Sequence, residues 1–337
     1  MRRASYPCLG LALVALLWLG ACTPAQPIGA SATAVPAPAS LTARPAASPT
    51  PAAAQFDGAH AYQEYLLGQM KLGLLRSTGS AGGRATGDYI LAQLKAANVQ
   101  STTQEFTYRG VPVRNIIGKL AVGRGPLIIV GAHYDARVHA NMDRAHPDQS
   151  VPAANDGASG VAVLLELART LDISRLHNEV WLAFFDAEDN GDYSSCDLLQ
   201  VGNPGQAAGC DATLWSWSVG ATYVAEHLGQ KPAAVIILDM IGDADQNIYY
   251  EQNSDKDLQQ EIWSIAARLG YSKQFIPQFK YSMSDDHTPF LEQGIRAVDM
   301  IDFDYPYWHT TQDTADKVSA ASLERTGRVM QAWLEEQ

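Results

Sequence analysis

Apolar and polar positions along the chain follow two alternating rhythms. Short unbroken apolar runs at residues 127–130, 180–185 and 233–238 have the length and β-branched content of strands buried on both faces. Residues 297–301 read as a late strand, and residues 247–250 carry the shorter pattern of an edge strand. Between these runs, apolar residues recur at helical spacing over 61–75, 85–97, 157–171, 258–269 and 323–334. Strands alternating with helices predict an α/β fold, a three-layer sandwich with a central, mostly parallel mixed β-sheet flanked by helices. The alternation continues without an internal repeat, so residues 56–337 read as one domain.

The first 55 residues break this pattern. Arg2 and Arg3 precede an apolar run at 9–19 and then Gly20-Ala21-Cys22, the layout of a secretory signal peptide over residues 1–21. The run falls short of the ~20 apolar residues that a spanning helix needs. Leu19-Gly20-Ala21-Cys22 resembles a bacterial lipobox. That resemblance implies a diacylated Cys22 at the mature N-terminus and an extracytoplasmic, lipid-anchored protein on the bacterial cell membrane. Residues 22–55 are mostly Ala, Pro, Ser and Thr and cannot bury enough apolar surface to offset their ordering entropy. They read as a tether.

Composition adds two constraints. Of the 337 residues, 47% are hydrophobic and 18% charged, enough to fill a sizeable core. A net charge of −12 with no basic run argues against a nucleic-acid partner, which needs clustered Lys and Arg. Of four cysteines, Cys8 leaves with the signal and Cys22 carries lipid. Cys196 and Cys210 remain, inside an apparent insertion at 190–217 that also holds Trp215 and Trp217. In an oxidising compartment the two are expected to pair, stabilising the short loop by ~3 kcal/mol. The insertion directly follows an acidic segment, so it either borders a pocket or makes a surface excursion.

The chemistry sits where the strands stop. The first buried run ends in His133-Tyr134-Asp135, the second in Asp186-Ala187-Glu188-Asp189, and the third in Asp239. Ligands of open α/β sheets bind outside the carboxyl ends of the strands. Asn155-Asp156-Gly157 precedes a helix, and Trp308-His309-Thr310 follows the late strand. Singly, such an Asp is usually a cap or turn residue. Together, His133, Asp156, Glu188, Asp189, Asp239 and His309 form a cluster whose carboxylates repel unless a cation compensates. Two imidazoles with several carboxylates suit zinc.

His133-Tyr134-Asp135, Ala154-Asn155-Asp156-Gly157-Ala158-Ser159-Gly160, Phe184-Phe185-Asp186-Ala187-Glu188-Asp189, Leu238-Asp239-Met240-Ile241-Gly242 and Trp308-His309-Thr310 occur in an order that resembles the zinc-dependent aminopeptidase superfamily. That superfamily includes the glutaminyl-peptide cyclotransferases. The resemblance implies that Asp156, Asp189 and His309 bind the zinc common to both branches and that Glu188 is the catalytic acid/base. In the aminopeptidase branch His133 and Asp239 bind a second zinc, with Asp156 bridging. In the cyclase branch one zinc is generally kept, and Asp239 corresponds to a hydrogen-bonding catalytic carboxylate. Both residues are present, so one zinc or two fits the sequence.

Three features favour the cyclase branch. Asp285-Asp286-His287-Thr288-Pro289-Phe290 resembles the cyclase segment whose first Asp, here Asp285, supports the catalytic carboxylates. Trp308 matches the tryptophan that lines the glutamine side-chain pocket. The Phe184-Phe185-Asp186 lead-in is also similar to the cyclase one. Two positions depart from the animal cyclases: Asp299 stands for a histidine and Asp189 for a glutamate.

The expected activity is therefore a zinc-dependent glutaminyl-peptide cyclotransferase, which converts the N-terminal glutamine of peptides and proteins to pyroglutamate and releases ammonia. The alternative is a di-zinc aminopeptidase that hydrolyses the first peptide bond. A lipid-anchored binding protein with a degenerate site would lack the acid/base or a ligand, and here Glu188 and every matched ligand are present.

Overall fold

The computed structural model describes residues 54–73 and 75–337. The expected signal peptide, the lipobox cysteine Cys22 and most of the 22–55 tether lie outside the described residues. Among the described residues no helix is long and apolar enough to cross a membrane.

Among the described residues eight strands form: β1 Gln100–Tyr108, β2 Val111–Leu120, β3 Leu127–His133, β4 Glu179–Phe185, β5 Ala234–Asp239, β6 Ile248–Tyr250, β7 Phe275–Phe279 and β8 Ala297–Ile301. Six of them build one sheet in the order β1-β2-β4-β3-β5-β8. Pairs β3/β4, β3/β5 and β5/β8 run parallel, while β1/β2 and β2/β4 run antiparallel. This is the expected mixed, mostly parallel sheet. β6 departs from expectation, because it pairs with β7 in a separate two-stranded sheet and not at the edge of the main one.

The helices are α1 Gly58–His60, α2 Leu67–Met70, α3 Ala81–Ala96, α4 Ala158–Thr170, α5 Ser195–Gly202, α6 Val219–Glu226, α7 Lys256–Arg268, α8 Thr288–Glu292 and α9 Ala320–Glu336. A π-helical stretch, Ala61–Leu66, joins α1 to α2. The first expected helix therefore ends at Met70, five residues early, ahead of Gly73 at φ +119. The second starts four residues before the expected position. Ser80 caps it by accepting from the Gly83 N–H at 2.9 Å, a contact worth ~1 kcal/mol. Gly82 and Gly83 hid this start from a hydrophobicity reading, yet they are what lets the turn form. A Cβ on Gly82 would lie 1.8 Å from the Leu75 carbonyl oxygen.

Alternate residues of the central strands feed two cores, as period-2 geometry requires. Ile128, Val130 and Ala132 of β3, with Val180, Leu182 and Phe184 of β4, pack on the face that α4 and α9 cover. Leu127, Ile129, Ala183 and Phe185 pack on the opposite face, with Ala221 and Val224 of α6 and Phe290 of α8. Two covered faces make the predicted three-layer sandwich. They also explain why β3 and β5 read as unbroken apolar runs: every residue of both is buried.

Candidate active site

The carboxyl ends of β3, β4, β5 and β8 open on one edge of the sheet, and the loops leaving them carry the functional side chains. His133 is the last residue of β3 and Asp239 the last of β5. Glu188 and Asp189 follow β4 after a short turn. Asp156 sits just ahead of α4, where the positive end of the helix dipole favours a carboxylate. A Cβ on Gly157 would lie 2.4 Å from the His133 carbonyl oxygen and 2.5 Å from its Nε2, so only glycine lets this loop close on His133. Ala187, Met240 and His309 all have φ between 45° and 64°. Left-handed backbone in non-glycine residues costs ~1–3 kcal/mol each and persists where surrounding structure fixes it. Here it aims the loops that bear Glu188, Asp239 and the His309 imidazole itself.

The side chains converge in two sets that share Asp156. Its Oδ1 lies 3.0 Å from His133 Nε2, which is 3.3 Å from Asp239 Oδ1. Its Oδ2 lies 3.6 Å from His309 Nε2, which is 2.8 Å from Asp189 Oδ1. Within each set, His133/Asp156/Asp239 and Asp156/Asp189/His309, one donor atom per residue falls within 4.8 Å of the others. The donors are buried, and Oδ2 of both Asp156 and Asp189 has no hydrogen-bond partner. Imidazole nitrogens and carboxylate oxygens converging with unsatisfied lone pairs fit a zinc ion at either set.

A third set faces the ligands. Glu188, Asp285 and Asp286 bring carboxylate oxygens within 4.8 Å of one another. The Asp286 N–H donates to Asp285 Oδ1, while both Asp286 oxygens lack partners and its side chain is fully buried. Ser218 Oγ approaches Glu188 Oε1 at 3.4 Å. Behind this set lie His287 and Asp299, also fully buried. His287 Nε2 is 3.4 Å from Glu251 Oε2, and its Nδ1 is 4.0 Å from Asp299 Oδ2.

Ionisation differs between the sets. Burial would raise Asp156, but the hydrogen bond and charge of His133, with the charge of His309, pull it below the ordinary carboxylate value. Burial and then Asp156 raise Asp189, against the pull of His309. Burial lowers His133, yet its bonds to Asp135, Asp156 and Asp239 outweigh that and leave it well above the usual histidine value. Burial, then Asp285, drives Glu188 well above the usual range. Asp239 is pushed to about 8, by burial first and by Asp285 and Asp156 against the His133 bond. Raised proton affinity lets a carboxylate take a proton from an amine and hand it back, as acid/base catalysis requires.

All of the residues singled out in the sequence meet here. Asp156, Glu188, Asp189, Asp239, Asp285, Trp308 and His309 line one cleft of ≈ 50 Å³. Trp308 lies over His309, ring centroids 3.9 Å apart. The expected disulfide joins Cys196 to Cys210.

Sequence reasoning missed the residues that hold the site in place. Asp135 accepts from the Glu188 N–H at 3.0 Å, the Asp189 N–H at 3.3 Å and Asn190 Nδ2 at 3.1 Å. Asp313 accepts from the Asn155 N–H at 2.9 Å, the Asp156 N–H at 3.2 Å and the Tyr305 hydroxyl at 2.6 Å. Arg137 donates to the Asp189 carbonyl at 2.8 Å. Nothing in the polar stretch around Asp313 sets it apart from a turn residue. Of the two tryptophans of the 190–217 insertion, Trp215 is buried and donates to Ser195 Oγ at 3.0 Å. Trp217 lines the cleft, parallel to His309 within 2°, with the Arg137 guanidinium 4.8 Å from its ring centre. Its place follows from the Ser218 N–H, which donates to the Glu188 carbonyl at 3.2 Å.

The chain is 27% identical to the glutaminyl cyclase of Bacteroides thetaiotaomicron, whose crystal structure superposes with a TM-score of 0.74 over 85% of this chain and 99% of that one. The glutaminyl-peptide cyclotransferase of Bos taurus is 22% identical over 314 residues, covering 77% of each chain. The aminopeptidase YwaD of Bacillus subtilis is 25% identical over 221 residues, 61% of this chain and 40% of that protein. Residues 115–334, about two thirds of the chain, match the profile of Peptidase family M28. The segment carries His133, Asp156, Glu188, Asp189, Asp239, Asp285 and His309 in their expected order, and the chain belongs to that family.

Proposed function

We propose that this protein is a zinc-dependent glutaminyl-peptide cyclotransferase, closing an N-terminal glutamine of a peptide or protein into pyroglutamate with release of ammonia. The observation that carries this reading is the shape and lining of the cleft. A small cleft walled by Trp308, Trp217 and Phe303, with Glu188 and Asp285 at its side, suits one short polar side chain folded back on its own amine. Similarity to bacterial glutaminyl cyclases supports the same choice.

Asp156, Asp189 and His309 would hold the zinc. Bound there, it supplies Lewis-acid polarisation of the glutamine side-chain carbonyl. Trp308 and Trp217 pack the side chain and exclude water from its reacting carbon. Glu188 takes a proton from the α-amine as that nitrogen forms its bond to the side-chain carbonyl carbon. It then returns the proton to the amide nitrogen, which leaves as ammonia. Asp285 and Asp239 keep Glu188 and the leaving nitrogen in register. The nucleophile belongs to the substrate itself, so orientation supplies much of the acceleration.

A second reading, hydrolysis of the first peptide bond, has a specific observation in its favour. The His133/Asp156/Asp239 set is complete and buried, as a second metal would need. Under that reading Glu188 takes its proton from the attacking water. Assays on Gln-, Leu- and Ala-initiated dipeptides, with zinc counted on the same sample, separate the two. The cyclase reading expects ammonia from the Gln peptide, about one zinc per chain and no free amino acid from the others. Free amino acid together with a second zinc overturns it.

The signal peptide and lipid anchor extend the proposal to a tethered enzyme outside the cytoplasm. The Cys196–Cys210 disulfide supports an oxidising compartment. Labelling with radioactive fatty acid tests the anchor, and Cys22→Ser should abolish the label.

A further inference from the structure

Trp217 belongs to two cavities. It walls the catalytic cleft, and it also closes one end of a larger groove of ≈ 360 Å³ between β1 and α6, lined by Phe106, Thr107, Tyr108, Val219 and Tyr223. The second cavity is seven times the volume of the first and within the ~300–1,000 Å³ range of small-ligand pockets. Its walls are aromatic and half-open. Phe106 and Tyr223 stack with centroids 3.9 Å apart and planes within 3°, and Tyr223 stacks on His227 at 3.9 Å. A paired aromatic wall is rigid and costs little entropy when a ligand covers it.

The strand that carries Phe106 also brings a free edge. β1 ends the six-stranded sheet and pairs only with β2 among the described residues. An unpaired edge offers backbone donors and acceptors to an extended chain. A chain held by its first residue in the catalytic cleft and leaving over Trp217 passes into this groove.

We propose that the groove is a subsite for the second and third residues of the peptide substrate, and that it selects large apolar or aromatic side chains there. The proposal rests on the cleft engaging a peptide N-terminus. It goes beyond that reading by assigning specificity to residues remote from the chemistry. Its occupant follows from continuity: the groove shares a wall with the cleft, so its ligand is the remainder of the molecule whose end the cleft holds.

The test compares Gln-Gly-Gly-Gly with Gln-Phe-Gly-Gly and Gln-Gly-Phe-Gly on the full-length zinc enzyme. The aromatic peptides should exceed the glycine peptide by about tenfold in kcat/KM, carried by KM, the scale of one well-filled apolar pocket. Glu226→Trp fills the groove from an exposed position on α6, and Tyr223→Ala removes the stacked wall. Each should erase the gain while turnover of Gln-Gly stays within about twofold. The Gln-Gly rate also reports that each variant has folded.

A second arm measures equilibrium binding of the same peptides to the Glu188→Gln variant, which does not depend on which reaction the cleft performs. If the wild-type enzyme releases free amino acid but still prefers the aromatic peptides, the cyclase reading falls and the subsite stands. Equal rates and equal binding for glycine and aromatic peptides overturn the subsite. So does a Glu226→Trp variant that slows all peptides, Gln-Gly included, to the same extent. A concentration-dependent dimer that Glu226→Trp dissolves, with no peptide preference, would assign the groove to a second copy of the chain and likewise overturn it.

Discussion

The two walls of the catalytic cleft are both lined by carboxylates and differ in what compensates them. On one wall Asp156 and Asp189 face His133 and His309; the imidazoles hold Asp156 below the ordinary carboxylate value, while burial and Asp156 still raise Asp189 against His309. On the other wall Glu188 faces Asp285 and Asp286, with no imidazole in that set, and its proton affinity is raised well above the usual range. A carboxylate beside nitrogen donors can bind a cation, and a carboxylate beside other carboxylates can carry a proton. The fold makes the distinction by which strand each loop leaves. Glu188 and Asp189 are neighbours in sequence, yet they serve different walls; the backbone at Ala187 turns through positive φ just ahead of them.

The most damaging change should be Asp156→Ala, since both ligand sets use this carboxylate. It is expected to yield folded protein without stoichiometric zinc and without measurable turnover, checked by metal analysis and by ammonia release. Asp313→Asn acts one step further out, on the residue that accepts from the Asp156 N–H. A zinc affinity lower by about 10- to 100-fold is expected, read by chelator competition. Asp285→Asn touches only the acid wall and should lower kcat by about tenfold or more while leaving zinc content unchanged. Loss of zinc in that variant would erase the division between the walls. The smallest effect belongs to the insertion. Replacing Cys196 and Cys210 with serine removes ~3 kcal/mol from a short closed loop, so Trp217 should become less ordered and KM should rise before kcat falls.

How much of this was legible in the sequence depended on where each residue sits in the sheet. β3, β4 and β5 lie inside the sheet, so their apolar runs announced them and placed His133, Asp239 and the Glu188-Asp189 pair at one edge; β8 ends the sheet, yet it is buried throughout and read as a strand although Asp299 interrupts it. β1 lies at the margin, and its sequence, Gln100 to Tyr108, is too polar to read as a strand; pairing with β2 defines it. The second wall of the groove stayed hidden for the same reason. Asp135 was visible only as part of its strand-end motif and Asp313 carried no signal, because their role is to receive backbone N–H groups, which any turn aspartate also does. Trp217 was visible as a residue and not as a wall, since the Ser218 N–H bond back to the Glu188 carbonyl, and no periodicity, fixes its position. Asp299 was noted as a departure from the animal cyclases, and the structure places it beside His287, within a buried network reaching Glu251.

The account stands most directly on Glu188. Measuring zinc content and ammonia release together on Glu188→Gln isolates the acid/base from the ligands. The expected result is a folded protein with wild-type zinc and a rate of pyroglutamate formation lower by about 10²- to 10⁴-fold. A variant that loses its zinc, or that keeps the wild-type rate, would contradict the assignment of one wall to the metal and the other to the proton.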